Sequence, residues 1–128
     1  MMNIEKQNND LVNTLITVSA SSSKISIAPQ SKSKKETVKE VVYRVLKENP
    51  YKFKQHELFF EVHINQLKKS NALKLTTYKL QRSELCGLLG WGIFGDEEGK
   101  LALIPVESHE YMELLNNPNI KKKKAYNK

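Results

Sequence analysis

GWGIFGDEEGKLALIPV, residues 90–106, decides the fold. Two apolar runs, GWGIF and KLALIPV, flank a short acidic loop bounded by Gly95 and Gly99. That arrangement specifies a β-hairpin. LALI leaves no polar face, which predicts a strand covered on both sides and placed centrally in its sheet. Downstream, residues 107–116 fit a short helix. Ser108 can cap it, Glu107 and Glu110 suit the positive end of its dipole, and Tyr111, Met112 and Leu115 form its inward stripe. Pro118 lies past its end, and residues 119–128, containing KKKKAYNK, read as a basic disordered tail.

Upstream of the hairpin, SELCGLL (83–89) fits two helical turns capped by Ser83, weakened by Gly87 by about 1 kcal/mol relative to Ala. LKLTTYKL (73–80) reads as a strand. LFFEVHIN (58–65) alternates Leu58, Phe60, Val62 and Ile64 with Phe59, Glu61, His63 and Asn65, which predicts a strand with one wholly apolar face. Ser33 and Glu36 have capping-box spacing, so a helix is expected from there. Val38, Val41, Val42, Val45 and Leu46 form its apolar stripe, Glu40, Arg44 and Glu48 its solvated face, and Asn49 and Pro50 its end. With Val at four of the five stripe positions, this helix must depend on packing against a sheet.

LVNTLITVS (11–19) is rich in β-branched residues and reads as the first strand. A Ser-rich connection follows it, with room for a short strand at 24–28, and residues 1–10 fit a frayed terminus. The order of elements predicts one α+β domain over 11–118: a mostly antiparallel sheet with about three helices packed on it. Residues 1–10 and 119–128 are expected to be disordered ends.

The 128-residue chain is 39% apolar and 27% charged, a globular composition with room for one core. A single cysteine, Cys86, cannot close an internal disulfide and implies no oxidising compartment. Asn13, Thr14 and Thr17 interrupt the only apolar run near the N-terminus, and no stretch approaches the roughly 18 apolar residues of a spanning helix. The expectation is a cytoplasmic protein with no membrane role. Residues 24–82 hold 14 basic and 5 acidic groups, residues 83–120 hold 1 and 7, and Lys121–Lys128 adds five more lysines, leaving +7 overall. Clustered basic charge is the footprint of a polyanion binder. Nineteen of the 21 basic residues are Lys, so Arg44 and Arg82 are the only planar forks for bidentate recognition, which disfavours sequence-specific DNA reading.

NTLITV (13–18), TVKEVVYRVLKENPYKF (37–53), LFFEVH (58–63), GWGIFGDEEGKLAL (90–103) and ESHEY (107–111) come in an order that resembles a family of small uncharacterised bacterial proteins, a domain of unknown function. The resemblance implies a bacterial single-domain protein and carries no activity with it. The chain departs from the family pattern at Phe94, where members tend to carry His, and at Leu88 and Leu89, where they tend to carry a basic and an aromatic residue.

On the strand reading, Glu61 and His63 share one face, where a carboxylate can orient an imidazole for acid/base work; a merely solvated face explains them as well. Cys86 lacks a neighbouring base and reads as a buried structural thiol. His56, His63 and His109 lack metal-site spacing, so no metal and no cofactor is called for. Asp96, Glu97 and Glu98 read as a solvated hairpin tip, and Gly87, Gly90 and Gly92 as an eased helix-to-strand turn rather than a phosphate loop. Trp91, Tyr51, Phe53 and Tyr78, near basic residues such as Lys52, Lys54 and Lys79, could stack bases as a single-strand platform, with Arg44 and Arg82 as further binding candidates, although aromatic residues in so small a domain usually belong to the core.

The composite expectation is a non-catalytic binding module for an anionic partner, either nucleic acid or an acidic protein. Two other readings stay open: a small enzyme using Glu61 and His63, and a protein that self-associates through its opposed charge blocks, giving a homo-oligomer.

Overall fold

The computed structural model describes residues 11–30, 37–62 and 80–126. Among them, four strands form one mixed sheet: β1 (Thr14–Thr17), β2 (Trp91–Gly95), β3 (Leu101–Pro105) and β4 (Lys121–Lys124), in the order β3-β2-β1-β4. Four helices accompany it: α1 (Val38–Glu48), α2 (Gln55–Phe60), α3 (Glu84–Gly87) and α4 (His109–Asn116). A 3-10 turn, Leu80–Arg82, precedes α3. The α+β class and the mostly antiparallel sheet match expectation, with a fourth helix added.

The hairpin is as the glycine-bounded loop predicts. β2 and β3 run antiparallel with Ile93 opposite Leu103, and β2 pairs antiparallel with β1 with Ile93 opposite Ile16. Asp96 organises the turn by accepting the Glu98 and Lys100 N–H groups, each at 2.9 Å, so the acidic tip is a built turn. Gly90 enters β2 at φ +77°, and a Cβ there would stand 2.4 Å from the Ile25 carbonyl oxygen, leaving glycine as the fitting residue.

Strand alternation divides the core between the two faces. Ile16, Trp91, Ile93 and Leu101 pack with Val41, Val42, Val45 and Leu46 of α1, Leu58 and Phe59 of α2, and Leu85 and Cys86 of α3. Leu15, Ala102 and Ile104 pack beneath Tyr111 of α4. The valine stripe of α1 is buried as predicted, while the helix starts later than expected. Thr37 is its cap, with the Thr37 N–H and hydroxyl both donating to the Glu40 carboxylate at 2.6 and 3.0 Å. Ser33 lies outside the described residues. Glu40, expected on the solvated face, is buried by this capping role.

Several expectations need correction. The strand read over LFFEVHIN is helical where it is described, with Leu58–Phe60 in α2 and Glu61 following it at helical backbone angles. Leu58, Phe59 and Val62 are buried at i, i+1 and i+4 while Phe60 is 52% exposed, so the helical period prevails over the alternating one. The Glu57 carboxylate accepting the Lys54 N–H at 2.8 Å marks the helix start. β3 is covered on both faces yet lies at the sheet edge. The turn after α1 closes that edge, since Leu101 accepts from the Tyr51 N–H and donates to the Phe53 carbonyl, each at 2.9 Å. In α4 the inward side chains are Tyr111 and Leu114, whereas Met112 and Leu115 are exposed. No strand forms at residues 24–28, which run as irregular chain; residues 73–79 of the other expected strand lie outside the described residues.

Candidate anion-binding edge

A further correction concerns the tail: Lys121–Lys124 is strand β4, paired parallel with β1 from Thr14 opposite Lys121 to Thr17 opposite Lys124. Four consecutive lysines repel one another and have weak strand propensity, so the strand is imposed from outside. At its start Asn117 caps α4 and turns the chain, accepting the Asn119 N–H on its side chain at 2.8 Å and the Ile120 N–H on its carbonyl at 3.1 Å. At its end Ala125 is buried and donates its N–H to the Thr17 carbonyl at 2.9 Å. Lys121 N–H donates to the Asn13 carbonyl at 2.8 Å. The 3-10 turn clamps the far end: the Gln81 amide donates to the Lys124 carbonyl and the Tyr126 N–H donates to the Gln81 carbonyl, each at 2.9 Å.

All four lysine side chains are exposed. By register, Lys122 and Lys124 lie on the α4 side of the sheet with Leu15 and Thr17, and Lys121 and Lys123 on the other side with Thr14 and Ile16. Lys122 spends its ammonium on the helix terminus, donating to the Asn117 and Ile120 carbonyls at 2.7 and 2.6 Å. No carboxylate pairs with Lys121, Lys123 or Lys124 among the described residues. Arg82 is exposed at the end of the turn that clamps Lys124. The edge therefore presents a line of fixed backbone from which the heads of Lys121, Lys123 and Lys124 project without a carboxylate partner among the described residues.

The other sequence-selected residues do not gather here. Lys52 is exposed beside the Phe53 ring, its Nζ 5.4 Å from the centroid, in the turn that closes the β3 edge. β2 and β1 separate that edge from β4, a span of about 14 Å for three inter-strand spacings. Lys54 caps α2 and Arg44 is half-buried on α1. Trp91 belongs to the core and offers no stacking platform. Its Nε1–H donates to the Ile27 carbonyl at 2.9 Å, the Tyr43 ring meets it edge-on at 5.4 Å, and Lys47 Nζ stands 5.3 Å from its centroid. Lys79 and His63 lie outside the described residues. Glu61 follows α2 with helical backbone angles, so the strand geometry that would have paired it with His63 is absent at that position.

Cys86 is fully buried, and burial pushes its thiol well above the ordinary range, the opposite of an activated nucleophile. Among the described residues no three His, Cys, Asp or Glu side chains gather as a metal site, and no helix is long and apolar enough to cross a membrane. Gly92 lies under the Tyr111 ring, where a Cβ would approach to 2.8 Å, which gives it a packing role in place of a phosphate-binding one.

Sequence reasoning placed the lysines in a tail because charge runs are usually solvated. The available signal was the pair of flanks, Ile120 and Ala125, which are apolar anchors at either end of the run. Comparison with protein-family models matches residues 6–128 to a family of unknown function (DUF6157). Neither a curated protein nor a solved structure matches the chain.

Proposed function

Since the chain belongs to that family of unknown function, membership supplies no activity, and we propose from the geometry that it is a non-catalytic binding module whose β4 edge, with Arg82, engages an anionic partner. One observation carries the reading: Lys121, Lys123 and Lys124 project from a backbone pinned at both ends and lack a carboxylate partner among the described residues. Lysines also keep exposed sheet edges from joining, but a single inward charge serves that purpose and a run of four exceeds it. The setting that goes with this reading is a bacterial cytoplasm, where a lone thiol such as Cys86 stays reduced.

The test measures anisotropy of a labelled anionic oligomer, both a single-stranded oligonucleotide and a glutamate-rich peptide, across a salt series. The wild type is compared with a variant carrying Lys121→Gln, Lys123→Gln and Lys124→Gln. Lys122 is kept because it caps α4. Removing the whole run by truncation would strip a strand from the sheet and confuse binding with folding. Binding should weaken with salt, and on the oligonucleotide the slope of log K should fall by about 0.7 per lost phosphate contact in the variant. Affinity indifferent both to salt and to the triple substitution would refute the reading.

A further inference from the structure

We propose that the partner is an extended acidic polypeptide segment that adds to β4 as a fifth strand; this rests on the anion-binding reading above and names its ligand. Backbone direction supplies the first argument. Lys121 and Ala125 point their N–H groups at β1, and because N–H direction alternates along a strand Lys123 does the same, whereas the N–H groups of Lys122 and Lys124 point the opposite way. Lys122 and Lys124 therefore face outward, as the Gln81 amide on the Lys124 carbonyl shows. That clamp occupies the Lys124 C=O and the Tyr126 N–H. The Lys122 N–H, the Lys122 C=O and the Lys124 N–H have no partner among the described residues, giving donor, acceptor and donor in series along an accessible edge. The opposite edge of the sheet is covered at Leu101, whose N–H and C=O are both taken by the Phe53 and Tyr51 backbone.

Side-chain direction supplies the second argument. The four lysines alternate between the two faces of the sheet, so a phosphate chain laid along either face meets only two of them. A strand docked on the edge places its own side chains alternately on the same two faces, and a run of consecutive Glu or Asp then sets a carboxylate on the side of each lysine in turn. A second copy of this chain is a poor occupant, because β4 against β4 would oppose lysine to lysine. The chain's own acidic stretch is committed elsewhere, with Asp96 already accepting the Glu98 and Lys100 N–H groups inside the hairpin turn.

The experiment uses the full chain and three probes: a labelled eight-residue peptide with four consecutive glutamates, the same peptide N-methylated at alternate backbone positions, and oligothymidylate. The expected result is that the first peptide binds, the methylated one binds about tenfold more weakly, and the amide protons of Lys122 and Lys124 gain exchange protection with the first peptide alone. Lys124→Pro removes an outward N–H while sparing the β1 ladder and the Lys122 cap on α4, and should weaken the peptide to a similar degree. Should that variant fail to fold, the methylated peptide makes the same comparison on the unaltered protein. Equal binding of both peptides, with no protection at Lys122 or Lys124, overturns the fifth strand while the anionic-partner reading stands. Oligothymidylate binding without peptide binding assigns the edge to nucleic acid and likewise overturns it. Binding of no probe overturns both readings, and a doubling of molecular mass that masks the same amides would identify a second copy as the occupant.

Discussion

Replacing Tyr111 by Phe deletes one oxygen and leaves the ring in place. In the native fold that oxygen accepts the Val18 N–H at 3.0 Å, just past the end of β1, while the ring lies over Gly92. Burial raises the phenol pKa, so the group stays neutral over the working range. The variant removes the acceptor that the Val18 N–H has in the native fold. An unmade buried hydrogen bond costs about 1–3 kcal/mol, and because Val18 is half-buried the lower part of that range applies, about 1–1.5 kcal/mol. For a chain of this length the loss corresponds to a fall in Tm of about 3–7 °C. Urea unfolding followed by Trp91 fluorescence should show a lower midpoint at unchanged slope. A loss below about 0.3 kcal/mol would refute the claim that this bond ties β1 to α4. Gly92→Ala attacks the same contact from the other side and should cost about 1–3 kcal/mol by overpacking. Combined with Tyr111→Leu the total should be less than additive, since both changes act on one contact.

Gly90→Ala forces a side chain onto a residue at φ +77° and against the Ile25 carbonyl; it should cost about 3 kcal/mol or more in the same urea assay, and a near-neutral result would contradict the described approach of the 23–27 segment. Cys86 should resist a thiol reagent in the native state and react only at the rate of unfolding, as read by labelling with and without urea. At Tyr51, burial and then the Glu110 carboxylate push the phenol up to about 12, above the value near 10 expected in the unfolded chain. Its stabilising contribution is therefore complete below about pH 10 and is lost as pH rises towards the folded value; ultraviolet titration should show a late-ionising tyrosine that Tyr51→Phe removes. Glu107 accepts the Ser26 N–H and hydroxyl, each at 2.8 Å, and these bonds hold its carboxyl below the usual range. That tie should persist above the ordinary carboxylate pKa and fail as pH falls through the lowered one, visible as loss of Ser26 amide protection; protection unchanged through acid would refute it.

Elements whose pattern is local were legible in the residues. The hairpin at 90–106 follows from two apolar runs and a glycine-bounded loop, the valine stripe of α1 from its 3.6-residue period, and the starts of α3 and α4 from Ser83 and Ser108. Both serines accept an N–H as a helix cap should, from Leu85 and Tyr111 respectively, at 3.1 Å each. Residues 58–62 were not legible, because Leu58, Phe59 and Val62 satisfy a helix while Leu58, Phe60 and Val62 satisfy a strand equally well on paper. Only the neighbours that bury Phe59 and leave Phe60 out discriminate between them. The candidate site was half legible: the lysine run and Arg82 are visible as charge, whereas their alignment is not. For Trp91 the residues leave a stacking platform and a core position both open, with the core favoured, and Ile27, Tyr43 and Lys47 closing around it place it in the core.

What the sequence by itself determined is the α+β class, the hairpin, the capped helices and the location of positive charge, since each depends on spacing within a few residues and on side-chain chemistry that travels with the chain. Only the tertiary structure decided that Lys121–Lys124 is a strand rather than a tail. That outcome depends on β1, more than a hundred residues earlier in the chain, offering the Asn13 and Thr17 carbonyls, and on Gln81 closing the far end. A run of like charges has no local reason to be extended and ordered; hydrogen bonds to distant partners hold it so, and they also determine which backbone groups are left facing outward.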